Sequence, residues 1–525
     1  MCLKAPQAGR SMVCSERSID LEVAMSNNTY HPDQSLRRKS EEHEINGTAQ
    51  DAREFQGGDF HEEASIERGL PGDVFGSEDG HDIKYKTLSW PLVAVLMITE
   101  IVSNGMLTLP SSLAAVGVVP GVIVIVFLGA FATYTAWALI QFKLRHPEVH
   151  NMGDAGMILF GPVGREILSA GTIIFAVFAT GSQILAGQLA LSVLSNERLC
   201  TVAFAGIFAI AVTLASFPRT LDGLGFLSIL GGVSIVVAGI VALAGAGAVP
   251  IRPGDIQIAV TSDFTSAFSE LNQVFSPCST RIRSNRLLFG QIVVPPYLEK
   301  YITNPVFAYA GHFMFFILIS EMRRPQDAMK AAWVLQITAT SLYVVFAVVT
   351  YWYIGSEVSS PSLLSLSPLF SKISFGLAIP NFFIAGSLYS HTASKLIFVR
   401  LFRQTKHIHS HTALGWGVWA LLILLANGAA FVFAVGIPVF NYLVGISAAL
   451  FAAWYTYGLA GAFWLHDAYY FEGGFRAWLQ QPFMFAVNVF TILAGAFICV
   501  GGLYATIVAL IRASAEGELP PPFQC

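Results

Sequence analysis

The chain has 525 residues, of which 54% are hydrophobic and only 12% are charged, and its formal net charge is −4. A soluble protein carries about twice that charged fraction, so the composition is typical of a membrane protein. The negative net charge argues against nucleic acid as a partner, and the six scattered cysteines show no metal-binding spacing. We therefore predict an all-α protein embedded in a lipid bilayer, with no metal, no cofactor and no nucleic-acid partner.

The first 88 residues differ from the rest of the chain. They are polar, rich in Ser, Glu, Asp, Gly and Arg, and hardly contain aliphatic clusters. Such a composition cannot bury enough apolar surface to offset chain entropy, so we predict a disordered tail over residues 1–88. The stretch KYKTLSW, residues 84–90, has lysines and aromatics suited to a membrane interface. A membrane domain then covers residues 89–512, followed by a short C-terminal tail, 513–525.

Eleven apolar runs within this domain are about as long as the roughly 20 residues that cross a hydrocarbon core. They cover residues 90–114, 119–142, 166–194, 200–217, 224–249, 306–321, 329–355, 373–399, 412–436, 438–464 and 483–511. Lys and Arg are concentrated in the loops on one side, which places the N-terminus in the cytoplasm. An odd number of spans places the C-terminus on the opposite side.

The segment 275–306 departs from this pattern. It carries Arg281, Arg283, Arg286 and Lys300 on the side that is otherwise poor in positive charge. It also separates FSELNQV from FAYAGH, which could otherwise follow each other directly. Two interpretations stay open: an atypical external loop insertion, or a retained intron in the gene model.

The first span contains polar and helix-breaking residues at its centre. Ser103, Asn104 and Gly105 interrupt the apolar run, and Pro110 follows within the same span. An unpaired backbone amide in lipid costs several kcal/mol, so a broken helix persists only where it lines a site. A plain packing kink is the alternative interpretation.

The sixth span, FAYAGHFMFFILISEM, has a second interruption. Tyr309 lies between small residues, with Ala310 and Gly311 after it and His312 next. Small residues let the backbone unwind and let another group approach closely. The first and sixth spans occupy matching positions in two five-span halves, and breaks at matching positions indicate a transporter's central binding site.

Such breaks suit the recognition of an amino acid. The N-terminus of a half-helix presents free amides and a positive dipole end to a carboxylate, and a C-terminus presents carbonyls to an ammonium group. A zwitterion therefore needs no charged side chain to hold it.

Few ionisable residues fall within the spans. Glu100 lies one helical turn before Asn104, on the same face of a continuous helix, and we predict Glu100 and His312 as candidates for proton coupling. A neutral packing role is the alternative for both. Glu321, followed by the basic residues of MRRPQDAMK, looks like a solvated helix end.

Three motifs carry a resemblance to a known family: EIVSNGMLTLPSSLAAVG (100–117), FAYAGHFMFFILISEMRRPQDAMKA (307–331) and GSLYSHTASKLIFVRLF (386–402). Together they resemble the amino acid/auxin permease family, and within it the fungal N-system neutral amino acid permeases. The resemblance covers about residues 84–512, without the segment 275–306.

The resemblance implies the 5+5 inverted-repeat fold of the bacterial leucine transporter, with broken first and sixth helices. It also implies proton-coupled uptake of neutral aliphatic and aromatic amino acids at the plasma membrane. The matching substrate-binding residues are Ser103, Asn104, Gly105, Met106, Tyr309, Ala310 and Gly311. In sodium-coupled relatives a cation site would match Asn104 and Thr392, but the fungal branch implies protons rather than sodium.

We therefore expect a secondary active transporter and not an enzyme. Two alternatives stay open: an amino acid sensor that signals through the N-terminal tail, and a vacuolar exporter with the same fold.

Overall fold

The protein is described here from a computed structural model over residues 74–517, apart from residues 77, 79, 249–255, 257, 259–297, 404 and 438. The described part is almost entirely helical, and its strand-like pairing is limited to a parallel bridge between Leu88 and Met322. Its α-helices are Trp90–Val116, Val118–Arg145, Met152–Ser195, Thr201–Ala215, Asp222–Gly247, Leu298–Ala308, Phe315–Ser320, Ala328–Ile354, Pro368–Phe402, Ala413–Gly436, Phe440–Ser447, Leu459–Phe471, Phe475–Gln480 and Pro482–Ala515. A π-helical segment, Ala448–Gly458, joins Phe440–Ser447 to Leu459–Phe471.

Ten helical segments in the described part are long and apolar enough to cross a membrane. They match ten of the eleven predicted spans. The remaining predicted span, 200–217, is the apolar helix Thr201–Ala215 with 15 residues, which is about 22 Å long and shorter than a typical hydrocarbon core. We number the spans from first to eleventh in chain order and count Thr201–Ala215 as the fourth.

The packing of the spans follows a five-plus-five arrangement. The first span packs against the sixth, the second against the seventh, the third against the eighth and the fourth against the ninth. Because successive spans alternate in direction and five is odd, members of each pair run antiparallel. Pairing of antiparallel counterparts is what two inverted halves require, and the predicted all-α inverted-repeat fold is confirmed.

The first and sixth spans occupy the interior of this bundle. Every residue from Thr303 to Ser320 is buried, and so is 83% of the most apolar part of the first span, against 22% for the eleventh span. Both predicted breaks are therefore inside protein, where irregular backbone in a membrane is tolerated.

The predicted disordered tail is wrong for residues 74–88. Apolar side chains of this segment are buried where the eighth span ends and the ninth begins: Val74, Phe75, Ile83 and Tyr85 pack with Phe398, Val399, Ile408, Trp419 and Ile423. These few apolar residues cannot form a core of their own, but they can dock on an apolar surface that the bundle already provides. Residues 1–73 lie outside the described residues.

The segment 275–306 is not an external loop over its whole length. Residues 298–306 belong to the helix Leu298–Ala308, which forms the first half of the sixth span. Asn304 is buried there, and its Nδ2 lies 3.4 Å from Oγ of Ser111 in the first span. The sixth span thus begins before residue 306. Its first turns were not predicted, because the polar residues at 303–304 interrupt the apolar run. The part of this segment before residue 298 lies outside the described residues.

Candidate functional site

The first span is broken at the predicted position. Ser103 has φ −57° and ψ −112°, which is not helical, within the otherwise helical Trp90–Val116. The last turn of a helix leaves carbonyl groups without amide partners, and side chains of other spans donate to three consecutive carbonyls here. These hydrogen bonds run from Asn381 Nδ2 to Thr99 O (3.0 Å), from Tyr389 OH to Glu100 O (3.0 Å) and from Tyr343 OH to Ile101 O (2.8 Å).

The sixth span is also broken where the sequence predicts it. The helix Leu298–Ala308 ends in tight turns, in which the amides of Tyr309 and Ala310 donate to the carbonyls of Val306 and Phe307 at 3.3 and 3.0 Å. A 3₁₀ turn, His312–Met314, then leads into the second half, Phe315–Ser320.

The two breaks touch each other. A Cβ built on Gly105 would lie 2.7 Å from the Cα of Ala308, and a Cβ on Gly311 would overlap the side chain of Ile101. Real Cβ atoms do not approach backbone this closely, so the contact requires glycine at position 105. At position 311 a Cβ would require the Ile101 side chain to move. The structure thus gives a packing reason for glycine at position 105, one of the predicted substrate-binding residues.

Tyr343 of the seventh span ties the two breaks together. Its hydroxyl lies 2.8 Å from the carbonyl oxygen of Ile101 and 2.6 Å from that of Ala308, and the side chain is fully buried. The single O–H of this phenol, shared between the two carbonyls, therefore links the first halves of both broken spans. The sequence does not single out Tyr343, since a tyrosine in an apolar span carries no signal of which carbonyls it will reach.

Ser103 and Asn104 contact the third span. Oγ of Ser103 donates to Oε1 of Gln183 over 3.1 Å, and Nδ2 of Asn104 donates to Oγ of Ser182 over 3.2 Å. Oδ1 of Asn104 has no hydrogen-bond partner among the described residues. The break is thus anchored on one side by the third span and keeps one free amide oxygen.

Glu100 and Asn104 do not share a face, contrary to the prediction. Asn104 points to the third span, while Oε1 of Glu100 lies 3.4 Å from the Cβ position of Gly311 in the sixth span. The non-helical turn at Ser103 rotates the second half of the helix relative to the first. Glu100 is 1% exposed, and within the described part of the chain neither carboxylate oxygen has a hydrogen-bond partner.

The side chains of Tyr309 and His312 contact the second span. The Tyr309 hydroxyl donates to the carbonyl of Ile125 over 3.0 Å. Nε2 of His312 lies 2.9 Å from the carbonyl oxygen of Ala132, and because a carbonyl only accepts, this nitrogen carries the proton. At the sixth-span break, therefore, the backbone faces the first span, and the side chains of Tyr309 and His312 face the second.

Met106 and Thr392 lie apart from this contact. The Met106 side chain packs on Gly239 of the fifth span, with its methyl carbon 3.1 Å from the Cβ position of that glycine. Oγ1 of Thr392 donates to the carbonyl of Leu388 in its own helix over 2.8 Å, a common arrangement in membrane helices. In the described residues no hydrogen bond joins Thr392 to Asn104.

Glu321 is not a solvated helix end, as the sequence suggested, but a buried partner in an ion pair. Its carboxylate pairs with Lys395 of the eighth span, and its Oε2 accepts the amide of Leu221 at 3.1 Å. The ring of Tyr85 lies 4.7 Å from Nζ of Lys395. The sequence did not indicate this burial, because the basic residues that follow Glu321 are typical of a solvated helix end.

Tyr85 connects the segment 74–88 to the loop between the eighth and ninth spans. Its hydroxyl donates to the carbonyl of Ile408 over 3.0 Å. Burial raises the pKa of Tyr85 to about 12, although the nearby Arg219 opposes that shift. The phenol therefore remains a hydrogen-bond donor at every physiological pH.

Two known proteins are similar in sequence to most of this chain. A "Transmembrane transporter" of Gibberella moniliformis (strain M3125 / FGSC 7600) is 28% identical over 465 residues, 88% of this chain and 92% of that protein. An "N amino acid transport system protein" of Neurospora crassa is 28% identical over 467 residues, 87% of this chain and 93% of that one.

Two solved structures show similarity at 12% sequence identity. A Na⁺-coupled sialic acid symporter covers 89% of this chain with a TM-score of 0.49. MhsT in complex with L-phenylalanine covers 82% with a TM-score of 0.48. The match covers 98% of the symporter chain and all of the MhsT chain.

The family model described as "Transmembrane amino acid transporter protein" matches residues 86–508. This range contains both broken spans and all the residues that hold them. The chain therefore belongs to the transmembrane amino acid transporter family.

Proposed function

We propose that this protein is a secondary active transporter that carries neutral amino acids together with protons by alternating access. The observation that supports this most directly is the contact between two broken helices inside the bundle, at Gly105 and Ala308. Irregular backbone at membrane depth is expected where it lines a transport site. We further propose that the protein works in the plasma membrane, with residues 1–88 in the cytoplasm.

The proposed substrate follows from the groups around the breaks. The second halves of both spans begin with amides suited to a carboxylate, and the first halves end in carbonyls suited to an ammonium group. Oδ1 of Asn104 adds a free acceptor. Because the ionisable side chains described at the breaks are limited to Glu100 and His312, a substrate with a neutral side chain fits best.

The breaks touch in this conformation, so substrate entry requires them to separate. The cap that Tyr343 forms on Ile101 and Ala308 holds the closed arrangement. We propose that a substrate's ammonium group replaces part of this cap as the first and sixth spans move apart.

Glu100 is the proposed proton carrier. Burying an unpaired charge is costly, so gaining or losing a proton at Glu100 changes the energy of the closed arrangement directly. His312 is the second candidate, although its Nε2 proton is already committed to Ala132.

An uptake assay in a transport-deficient host tests this proposal. Labelled neutral amino acid should accumulate more strongly as the external pH falls. Each pH unit supplies about 1.4 kcal/mol, or about tenfold accumulation for one proton per substrate. Glu100→Gln keeps the shape but cannot titrate, so it should retain exchange of labelled for unlabelled substrate and lose the pH-driven accumulation.

Glu516→Gln, which changes an exposed acid near the end of the described chain, is the matched control and should behave like the unmodified protein. Accumulation by Glu100→Gln with an unchanged pH response would show that the proton is carried elsewhere. An absence of any neutral amino acid uptake by the unmodified protein would refute the transport proposal.

The packing of residues 74–88 on the bundle favours one second candidate function, an amino acid sensor. Tyr85 contacts Lys395, whose partner Glu321 ends the sixth span, so a change at the sixth-span break could reach the N-terminal segment. Deletion of residues 1–73 keeps this contact and should preserve uptake. If that deletion abolishes signalling with intact uptake, the sensor role is supported, whereas loss of uptake with unchanged signalling contradicts it.

A further inference from the structure

Three potential metal ligands lie together where the second span meets the tenth. His146 follows the last residue of Val118–Arg145, and His466 and Asp467 lie in Leu459–Phe471. Nε2 of His146 and Nδ1 of His466 are 3.1 and 3.2 Å from Oδ1 of Asp467. One ligand atom from each residue lies within 4.8 Å of the other two.

Two of the three ligand separations, which in the absence of a metal are hydrogen-bond contacts, are compatible with the coordination shell of a small dication. Zinc binds imidazole nitrogen and carboxylate oxygen at 2.0–2.2 Å in a tetrahedron, whose ligand atoms are then about 3.3 Å apart. The two measured separations, 3.1 and 3.2 Å, are close to that edge length. A dication could therefore be held with small side-chain shifts.

A second carboxylate orients one of the ligands. Nδ1 of His146 lies 3.4 Å from Oε1 of Glu148. A metal-binding histidine usually donates its other ring N–H to a carboxylate, which fixes the tautomer and the ring orientation. With Nδ1 directed to Glu148, the Nε2 atom of His146 points to Oδ1 of Asp467, 3.1 Å away, and a metal bound between these two atoms would replace that contact.

The charges of the cluster favour a dication. Oδ2 of Asp467 lies 3.6 Å from Nη1 of Arg145, whose Nη2 is 3.0 Å from Oε1 of Glu472. This leaves Oδ1 of Asp467 for the two histidines. Three carboxylates, with that of Glu148, and one guanidinium sum to −2 when both imidazoles are neutral, which a dication would balance.

The three side chains are mostly buried but lie next to a cavity that can hold water. The side chains of His146, His466 and Asp467 are 10%, 14% and 5% exposed. A cavity of about 190 Å³ next to them is lined in part by Phe142, Asp467 and Glu472. This volume is large enough for several waters, so a water can complete the fourth position of a tetrahedron.

We propose that His146, His466 and Asp467 form a site for a divalent transition-metal ion of the zinc class, with a water as fourth ligand, that joins the second span to the tenth. Imidazole nitrogens favour zinc and its neighbours over magnesium and calcium, which prefer oxygen ligands. The sequence predicted no metal site, because His146 and Asp467 are 321 positions apart. The inference does not depend on the transported substrate.

Calorimetric titration of the full-length protein with zinc chloride tests the site, after purification in detergent through a tag without histidine. We expect one zinc ion per chain and a rise in the thermal unfolding temperature, since a ligand of the folded state stabilises it. Cobalt(II) should give the intense visible absorption of tetrahedral coordination, and magnesium should give neither effect. Glu148→Gln should weaken zinc binding by about 10–100-fold.

His146→Gln and His466→Gln should each lose more affinity than Glu148→Gln does. His411→Gln, at an exposed histidine in the loop between the eighth and ninth spans, should bind zinc like the unmodified protein. If His146→Gln fails to fold, the Co²⁺ spectrum of the unmodified protein and the affinity of His466→Gln still decide. If His146→Gln and His466→Gln both bind zinc with the affinity of the unmodified protein, or if the cobalt spectrum is octahedral, the proposal is overturned.

Discussion

Replacing Lys395 with methionine is expected to lower the free energy of unfolding by about 3–5 kcal/mol, because it leaves a buried carboxylate without its counter-charge. The Lys395 and Glu321 side chains are 1% and 0% exposed, and they form an ion pair between the eighth and sixth spans. Methionine fills a similar volume, so the lost charge accounts for most of the effect. The measurement is thermal unfolding of the purified protein in detergent, together with its amount in the membrane.

A second substitution separates charge from packing. Adding Glu321→Gln to Lys395→Met removes the remaining charge, and the glutamine oxygen can still accept the amide of Leu221 that now lies 3.1 Å from Oε2. The double variant should recover most of the lost stability. Lys330→Met is the matched control, because Lys330 is 63% exposed in its 2.7 Å pair with Asp327, and exposed pairs contribute about 0–1 kcal/mol.

Equal unfolding temperatures for the Lys395→Met variant and the unmodified protein would show that the buried pair carries no net stability. A double variant as unstable as the single one would assign the effect to packing around Lys395. Either result would also weaken the link between Tyr85 and the sixth span on which the sensor hypothesis rests.

The sequence was sufficient to predict the spans and both breaks, for a physical reason. In lipid every backbone group needs a partner, so long apolar runs form helices, and a Ser-Asn-Gly interruption inside one of them is conspicuous. The same reasoning failed for the first half of the sixth span, where polar residues such as Thr303 and Asn304 are buried against protein and never face lipid.

The partners of the breaks could not be predicted, because they depend on tertiary register. Tyr343, Asn381 and Tyr389 look like ordinary residues of apolar helices, yet each donates to a carbonyl of the first span's last turn before the break. The same applies to Glu321 and Lys395, which are 74 positions apart. Helical periodicity predicts on which face of its helix a residue lies, but not which residue of another helix it contacts.

The composition of residues 74–88 also led to a wrong prediction, that of disorder. A segment with few apolar residues is normally disordered because it cannot bury its own surface. Phe75 and Tyr85 instead stack on each other, with ring centroids 4.5 Å apart, and pack where the eighth span ends and the ninth begins. Docking on a surface that is already folded requires far fewer apolar residues than independent folding.

Gly105→Val is expected to reduce amino acid uptake to background while the protein still reaches the membrane. A Cβ at this position would lie 2.7 Å from the Cα of Ala308 and 3.3 Å from its carbonyl oxygen. Backbone cannot yield as a flexible side chain does, so the two breaks must move apart. That displacement also pulls the Ala308 carbonyl from the Tyr343 hydroxyl, now 2.6 Å away, and removes the closed arrangement that alternating access needs.

Uptake of a labelled neutral amino acid, normalised to surface protein, measures this effect. Gly428→Val is the matched control, because Gly428 also lies inside a span and a Cβ there meets nothing within 4 Å. It should transport like the unmodified protein. Gly105→Ala adds only the Cβ, so it should push the two breaks apart less than valine does and give an intermediate rate. Normal uptake by Gly105→Val would mean that the contact between the breaks is not part of the transport cycle.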